Sequence, residues 1–143
     1  MIERRQFYIN GAWVDPLDGR DHEVIDPSTE EPCAVISLGG QADTDAAVAA
    51  AKAALPGWMA TPPEERIAAL ERVYAAYKER AEDLAQAMSM EMGAPLDLAR
   101  SSQVGAGINH LKNFINAAKA FEWEKPLSPD HPDTRILHEA VGV

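Results

Sequence analysis

Cys33 is the residue with the greatest intrinsic reactivity in this chain, and a cysteine attacks carbon only as a thiolate. It stands behind Pro32 in a run of strand character, with no neighbouring His or helix start to lower its pKa, so it reads as a structural thiol. The histidines, His22, His110, His131 and His138, form no H-x-x-x-H pair, and one cysteine cannot make C-x-x-C, so no transition-metal site is expected. Gly105-Ala106-Gly107 is the only piece resembling a dinucleotide fingerprint. It lacks the third glycine and lies within a helical stripe instead of after a strand, so it is not a cofactor loop. Gly39-Gly40 could cradle an anion at a helix start, but Asp43 and Asp45 would repel one, and a plain strand-to-helix turn is expected. Glu64-Glu65 and Glu122 with Glu124 read as capping and solvated groups, since paired acid and base work needs a cleft. The residues taken singly therefore give no catalytic group and no cofactor-binding group.

The bulk properties narrow the partners. The chain has 143 residues, 46% of them hydrophobic, enough for one domain with a core. Thirteen Lys and Arg against twenty-three Asp and Glu leave a formal charge of -10, which repels phosphate backbones and acidic head groups. Neither nucleic acid nor a membrane surface is expected as a partner. Phe7-Tyr8-Ile9-Asn10-Gly11 follows the charged start before any apolar run long enough for a signal peptide, and Lys52 and Pro56 interrupt the Ala-rich run from Ala46. A cytoplasmic location is the expectation, and a lone thiol agrees with it.

The elements that would position side chains change character near residue 41. Before it, Asn10-Gly11 between Phe7-Tyr8-Ile9 and Ala12-Trp13-Val14 predicts a hairpin with a type I′ turn. Turns at residues 15–19 and 27–30 deliver two further strands, at residues 22–26 and 33–37, giving an antiparallel layer of about four strands. After it, a first helix opens with Asp43 and Asp45, shows Val48, Ala51 and Leu55 on one face, and is expected to stop at Pro56-Gly57. Thr61-Pro62-Pro63-Glu64 reads as a capping box opening a second helix, whose stripe is Ile67, Leu70, Tyr74, Tyr77 and Ala81. Leu84, Met88 and Met92 mark a third helix ending at Gly93. A fourth, from near Pro95 to about Trp123, aligns Val104, Ile108, Leu111, Ile115 and Ala118, with Gly105 and Gly107 expected to allow close packing.

Residues 126–133, with Pro126, Pro129 and Pro132, are expected to be an irregular connection. Thr134 to Val143 then reads as a strand reaching the C-terminus with no partner, an edge that natural domains avoid, and the expectation is a chain cut from a longer one. Stripes and a strand made to face other structure would leave the isolated chain prone to associate.

Read in order, several segments resemble the beginning of the aldehyde dehydrogenase superfamily. They are Phe7-Tyr8-Ile9-Asn10-Gly11-Ala12-Trp13-Val14, Val24-Ile25-Asp26-Pro27-Ser28-Thr29, Asp43 through Ala51, Trp58, Pro63-Glu64-Glu65-Arg66, Met90-Glu91-Met92-Gly93-Ala94-Pro95 and Glu139-Ala140-Val141-Gly142-Val143. The resemblance implies an α/β parent fold, of which this chain is an N-terminal β-hairpin layer, about four helices and a C-terminal strand. Residues 1–125 would belong to the cofactor-binding domain, 126–133 to a linker, and 134–143 to the start of the arm that joins subunits into a homo-oligomer. The implied reaction is NAD- or NADP-dependent oxidation of a small aldehyde to a carboxylic acid. Its cysteine nucleophile, general base and nucleotide loops would lie beyond the position matching Val143, so this chain alone is expected to bind no nicotinamide cofactor and to be inactive. The resemblance also implies a monovalent cation held by the backbone carbonyls of Val24 and Ile25 and the carboxylate of Glu91, where the commoner acid is Asp. The plainer reading of Glu91 is a polar residue near a helix end.

Two readings from other classes stand beside this one. A stand-alone helical interaction module would satisfy its stripes with a partner and add Ile136 to Val143 to a partner's sheet. A small metal- or nucleotide-binding protein would need the ligand spacing and phosphate loop that are missing, and would show saturable nicotinamide binding.

Overall fold

The computed structural model describes residues 1–139, 141 and 142. The strands are β1 (Ile2–Arg4), β2 (Phe7–Ile9), β3 (Ala12–Val14), β4 (Arg20–Asp26), β5 (Glu31–Leu38), β6 (Glu124–Ser128) and β7 (His131–Leu137). The helices are α1 (Gln41–Ala60), α2 (Pro63–Glu79), α3 (Ala81–Met92), the single turn α4 (Leu96–Leu98) and α5 (Val104–Ala120), with a π-helical segment over Ala99–Gln103 joining the last two.

The first hairpin forms as the turn chemistry requires. Asn10 at φ 52° and Gly11 at φ 78° both occupy the positive region that a type I′ turn needs, and Tyr8 opposes Trp13 with ring centroids 5.3 Å apart. The remaining amino-terminal strands differ from one antiparallel layer. β4 and β5 pair antiparallel, but β1 adds to the other side of β5 in parallel, Ile2 opposite Ala34, while β2 and β3 form a separate two-stranded sheet. Ile2-Glu3-Arg4 has no alternation to announce a strand; it is recruited by the open edge of β5.

Three helical expectations need correction. α1 continues through Pro56 to Ala60, because this stretch is exposed and water can satisfy the Lys52 carbonyl that Pro56 cannot reach. Thr61 does not cap α2. It is the C-cap of α1, its hydroxyl donates to the Gly57 carbonyl at 3.0 Å, and Pro62 occupies the N-cap of α2 with Pro63 at the first helical position. The last helix is interrupted by the π segment and ends at Ala120, where Phe121 turns extended. The end of α3 is as expected, with Gly93 in the left-handed region at φ 69° and its N–H donated to the Ser89 carbonyl.

The core lies among these helices. Ala85, Ala99 and Val104 are buried, and Tyr77, Leu84, Met88 and Ile108 pack around them. Met92, expected on the same stripe, is 61% exposed. Gly107 does permit a close approach, since a Cβ there would strike the Tyr77 hydroxyl and ring, whereas Gly105 has open space beside it.

The expected irregular connection is instead half of a second hairpin. Glu124 pairs with Leu137 and Lys125 with Ile136, with a bulge between Pro126 and Ser128 that absorbs the ladder break. The strand expected over 134–143 begins at His131, has β6 as its partner and ends at Leu137; Ala140 and Val143 lie outside the described residues.

Candidate functional site

Val24 and Ile25 stand at a register break in the β4–β5 ladder. Val24 opposes Ala34 and Ile25 opposes Pro32, so Cys33 is the extra residue of a β-bulge. The break changes what the β4 carbonyls receive. Cys33 donates its thiol to the Val24 carbonyl at 3.3 Å, a weak hydrogen bond, and Pro32 has no N–H to give to Ile25. Backbone carbonyl oxygens are the donor type that hard cations take.

Glu91 approaches from α3, which packs on β4. Gly93 fixes that approach, because a Cβ on it would lie 2.7 Å from the Pro27 ring just beyond β4. α3, whose last turn carries Glu91, packs on β4, which carries Val24 and Ile25, and the Glu91 side chain is exposed. Among the described residues no group of three His, Cys, Asp or Glu is assembled, so any cation here would rest on carbonyls and one acid.

Cys33 itself is half-buried in the sheet with its thiol donated to a carbonyl, which suits a structural role. The tyrosines of α2 also take up structural work: Tyr77 faces Gly107, and Lys78 lies over the Tyr74 ring at 5.3 Å.

Two polar constructions were not legible in the sequence. Asp43, 5% exposed, is the buried acid of the molecule's described part. Its Oδ1 accepts the N–H of Leu17 at 2.7 Å, and its Oδ2 accepts those of Gly40 at 2.9 Å and Asp18 at 3.3 Å. These backbone donors, Leu17 first, hold its carboxyl below the usual carboxylate range. Asp43 therefore fills the Gly39-Gly40 helix start from within and ties the loop after β3 to α1. Glu82 on α3 takes a two-pronged bond from Arg100 of the π segment, at 2.6 and 2.9 Å, which lowers its carboxyl to about 2.

A third construction is aromatic. Phe121 meets Trp123 and His138 edge-on at 5.0 and 4.8 Å, Arg66 lies 5.1 Å over the Trp123 ring, and the Trp123 indole donates to the Ala118 carbonyl at 3.2 Å. Through it the β6–β7 hairpin is fastened to the ends of α5 and α2.

The chain as a whole matches known proteins along nearly all of its length. The pattern of the aldehyde dehydrogenase family covers residues 13–143. A 3-succinoylsemialdehyde-pyridine dehydrogenase from a Pseudomonas species is 38% identical over 144 aligned positions, taking in 100% of this chain and 29% of that protein. The solved aldehyde dehydrogenase of Bartonella henselae superposes with a TM-score of 0.88 at 48% identity, over 90% of this chain and 27% of its own. Aldehyde dehydrogenase C of Pseudomonas syringae, solved as a mutant with NAD+ and octanal, gives 0.84 at 39% identity, over 87% of this chain and 26% of its own. The chain thus spans between a quarter and a third of the length of the relatives it matches. With that pattern covering residues 13–143 and these relatives 38 to 48% identical, the chain belongs to the aldehyde dehydrogenase family.

Proposed function

We propose that this chain is the amino-terminal scaffold of an NAD(P)-dependent aldehyde dehydrogenase. The observation that carries the reading is the 48% identity and TM-score of 0.88 to the first part of a solved family member. The whole protein would oxidise an aldehyde to a carboxylic acid. A cysteine supplied from outside these residues would attack the aldehyde carbon, and a nicotinamide cofactor bound there would supply the hydride acceptor, while the residues of this chain hold neither group. Cys33 is not that cysteine, because it is committed to the β4–β5 sheet.

The residues of this chain act by support. Asp43 and the Glu82–Arg100 pair hold loops and helices in register, and residues 134–143 begin the arm that joins subunits into a homo-oligomer. The bulge at Val24 and Ile25 with Glu91 would contribute part of a monovalent cation site; the oxygen-only donor set fits such an ion, with further ligands from outside these residues. The charge of -10 supports working away from nucleic acid and acidic membranes, and no helix among the described residues is long and apolar enough to cross a bilayer. We place the protein in the cytoplasm.

The test is NADH formation, followed by absorbance, with the natural full-length product and a panel of aliphatic and aromatic aldehydes. Aldehyde-dependent reduction of NAD+ or NADP+ is expected there and none from residues 1–143 alone. A full-length product that reduces neither cofactor with any aldehyde would refute the reading.

A further inference from the structure

The β4–β5 ladder is regular except at one step, and the two residues placed there are unusual for a strand in the middle of a sheet. β5 is the central strand, with β1 on one side and β4 on the other. Proline is ordinarily confined to edge strands and bulges, because it has no N–H to add to a ladder. Pro32 nevertheless stands in β5, opposite Ile25, and Cys33 follows as the inserted residue before Ala34 meets Val24. β1 pairs only with Ala34, Val35 and Ile36, so neither Pro32 nor Cys33 is part of that second ladder.

Both residues limit what β5 can donate to β4. Pro32 has no N–H to offer. Cys33 places its thiol on the Val24 carbonyl at 3.3 Å, and a thiol is a weak donor. A hard cation and a hydrogen-bond donor draw on the same carbonyl oxygen, and the positive end of an N–H or O–H repels the ion. Weak donors opposite Val24 and Ile25 therefore favour a cation on those oxygens and favour the bare sheet less. A ladder selected for stability alone would have an ordinary N–H at residue 32 and an apolar side chain at residue 33.

We propose that Pro32 and Cys33 are positioning residues for the monovalent cation assigned above to the Val24 and Ile25 carbonyls and Glu91. Neither touches the ion. Pro32 acts by withholding an N–H from the strand carrying Ile25, and Cys33 by giving Val24 no more than a thiol's hydrogen bond. The inference rests on the cation reading. It fixes an order of affinities: Cys33→Ala binds the ion most tightly, the parent next, and Cys33→Ser, whose hydroxyl is the stronger donor, more weakly. Pro32→Ala, which restores an N–H, is weaker than the parent as well. A purely structural role predicts a different order, with serine closest to the parent because it conserves size and hydrogen bond.

The experiment measures the melting temperature of the natural full-length protein while KCl or NaCl replaces tetramethylammonium chloride at constant ionic strength, which yields an apparent Kd without reference to activity. Relative to the parent, Cys33→Ser and Pro32→Ala should raise that Kd about threefold or more, and Cys33→Ala should lower it to about a third. In tetramethylammonium alone Cys33→Ala should melt lower than the parent, because it has lost a hydrogen bond, while its response to the small cation grows. Those opposite movements are what a structural thiol would not produce. If one variant does not fold, the others still decide, since each has its own expected sign. A parent that responds to K+ or Na+ with the same Kd in every folded variant, or a Cys33→Ser variant that binds as tightly as the parent, overturns this inference and leaves the cation reading standing. A parent that melts alike in all three salts overturns the cation reading, and this inference with it.

Discussion

The carboxylate of Asp43 accepts the backbone N–H of Leu17 at 2.7 Å across 26 residues, and so closes the loop after β3 onto the first turn of α1. Asp43→Ala leaves three backbone donors in a poorly hydrated place without an acceptor. The expected outcome is a melting temperature lower by ~5 °C or more, read by circular dichroism, with faster hydrogen exchange at Leu17 and Gly40.

The same contact sets an acid limit. Asp43 has its pKa lowered in the folded state, so its contribution to stability is complete above the ordinary Asp value and is lost as pH falls through the folded value. Asp43→Asn should flatten the acid limb of a stability curve below about pH 4 and leave the neutral limb parallel to that of the parent chain. Identical acid limbs would show that the carboxylate is not the group responsible.

Glu82 and Arg100 test a weaker case. Glu82 titrates at about 2 because of the Arg100 guanidinium, yet both side chains are about half exposed, where solvent screening reduces the value of an ion pair. Arg100→Gln should move the Glu82 carboxyl back up toward the ordinary range in an NMR titration. It should shift the melting temperature by less than about 2 °C. The contribution that remains is present above pH ~4.5 and disappears as pH falls toward 2.

The two glycines of α5 should respond with opposite sign. Gly105→Ala meets open space and gains helix propensity, about 0.5–1 kcal/mol. Gly107→Ala drives a methyl into the ring and hydroxyl of Tyr77, and the overpacking outweighs the same gain, for a net loss of ~1 kcal/mol. Urea midpoints of both variants, and of Gly107→Ala combined with Tyr77→Ala, measure the coupling directly.

Gly93→Ala strains a residue at φ 69° and presses on Pro27, so α3 must withdraw from the end of β4. In the full-length protein, K+ or Na+ at ten times its Kd should add ~1.4 kcal/mol of stability over a bulky organic cation. Both Gly93→Ala and Glu91→Gln should diminish that increment. Equal stability in all three salts would remove the cation from Val24, Ile25 and Glu91.

Local chemistry made several elements legible from sequence alone. Asn10-Gly11 admits little but a type I′ hairpin, Gly93 before Pro95 ends a helix, and Val104, Ile108 and Ile115 share the inner face of α5 whatever surrounds it. The ordered segments from Phe7 to Val143 also carried the family. Other features depended on what lay across space. Pro56 stays helical because its neighbourhood is solvent, and Pro126 and Pro132 sit in strands because a bulge and the open edges of a two-stranded sheet remove the need for every N–H. Ile2 to Arg4 become a strand only because β5 offers an edge, and Thr61 caps the helix before it instead of the one after it. The Asp43 lock, the Glu82–Arg100 pair and the Phe121–Trp123–His138 cluster join residues 15 to 26 apart or sit where three elements converge. No spacing rule encodes such contacts, because they arise when elements already formed are packed together, and that packing is a property of the whole fold.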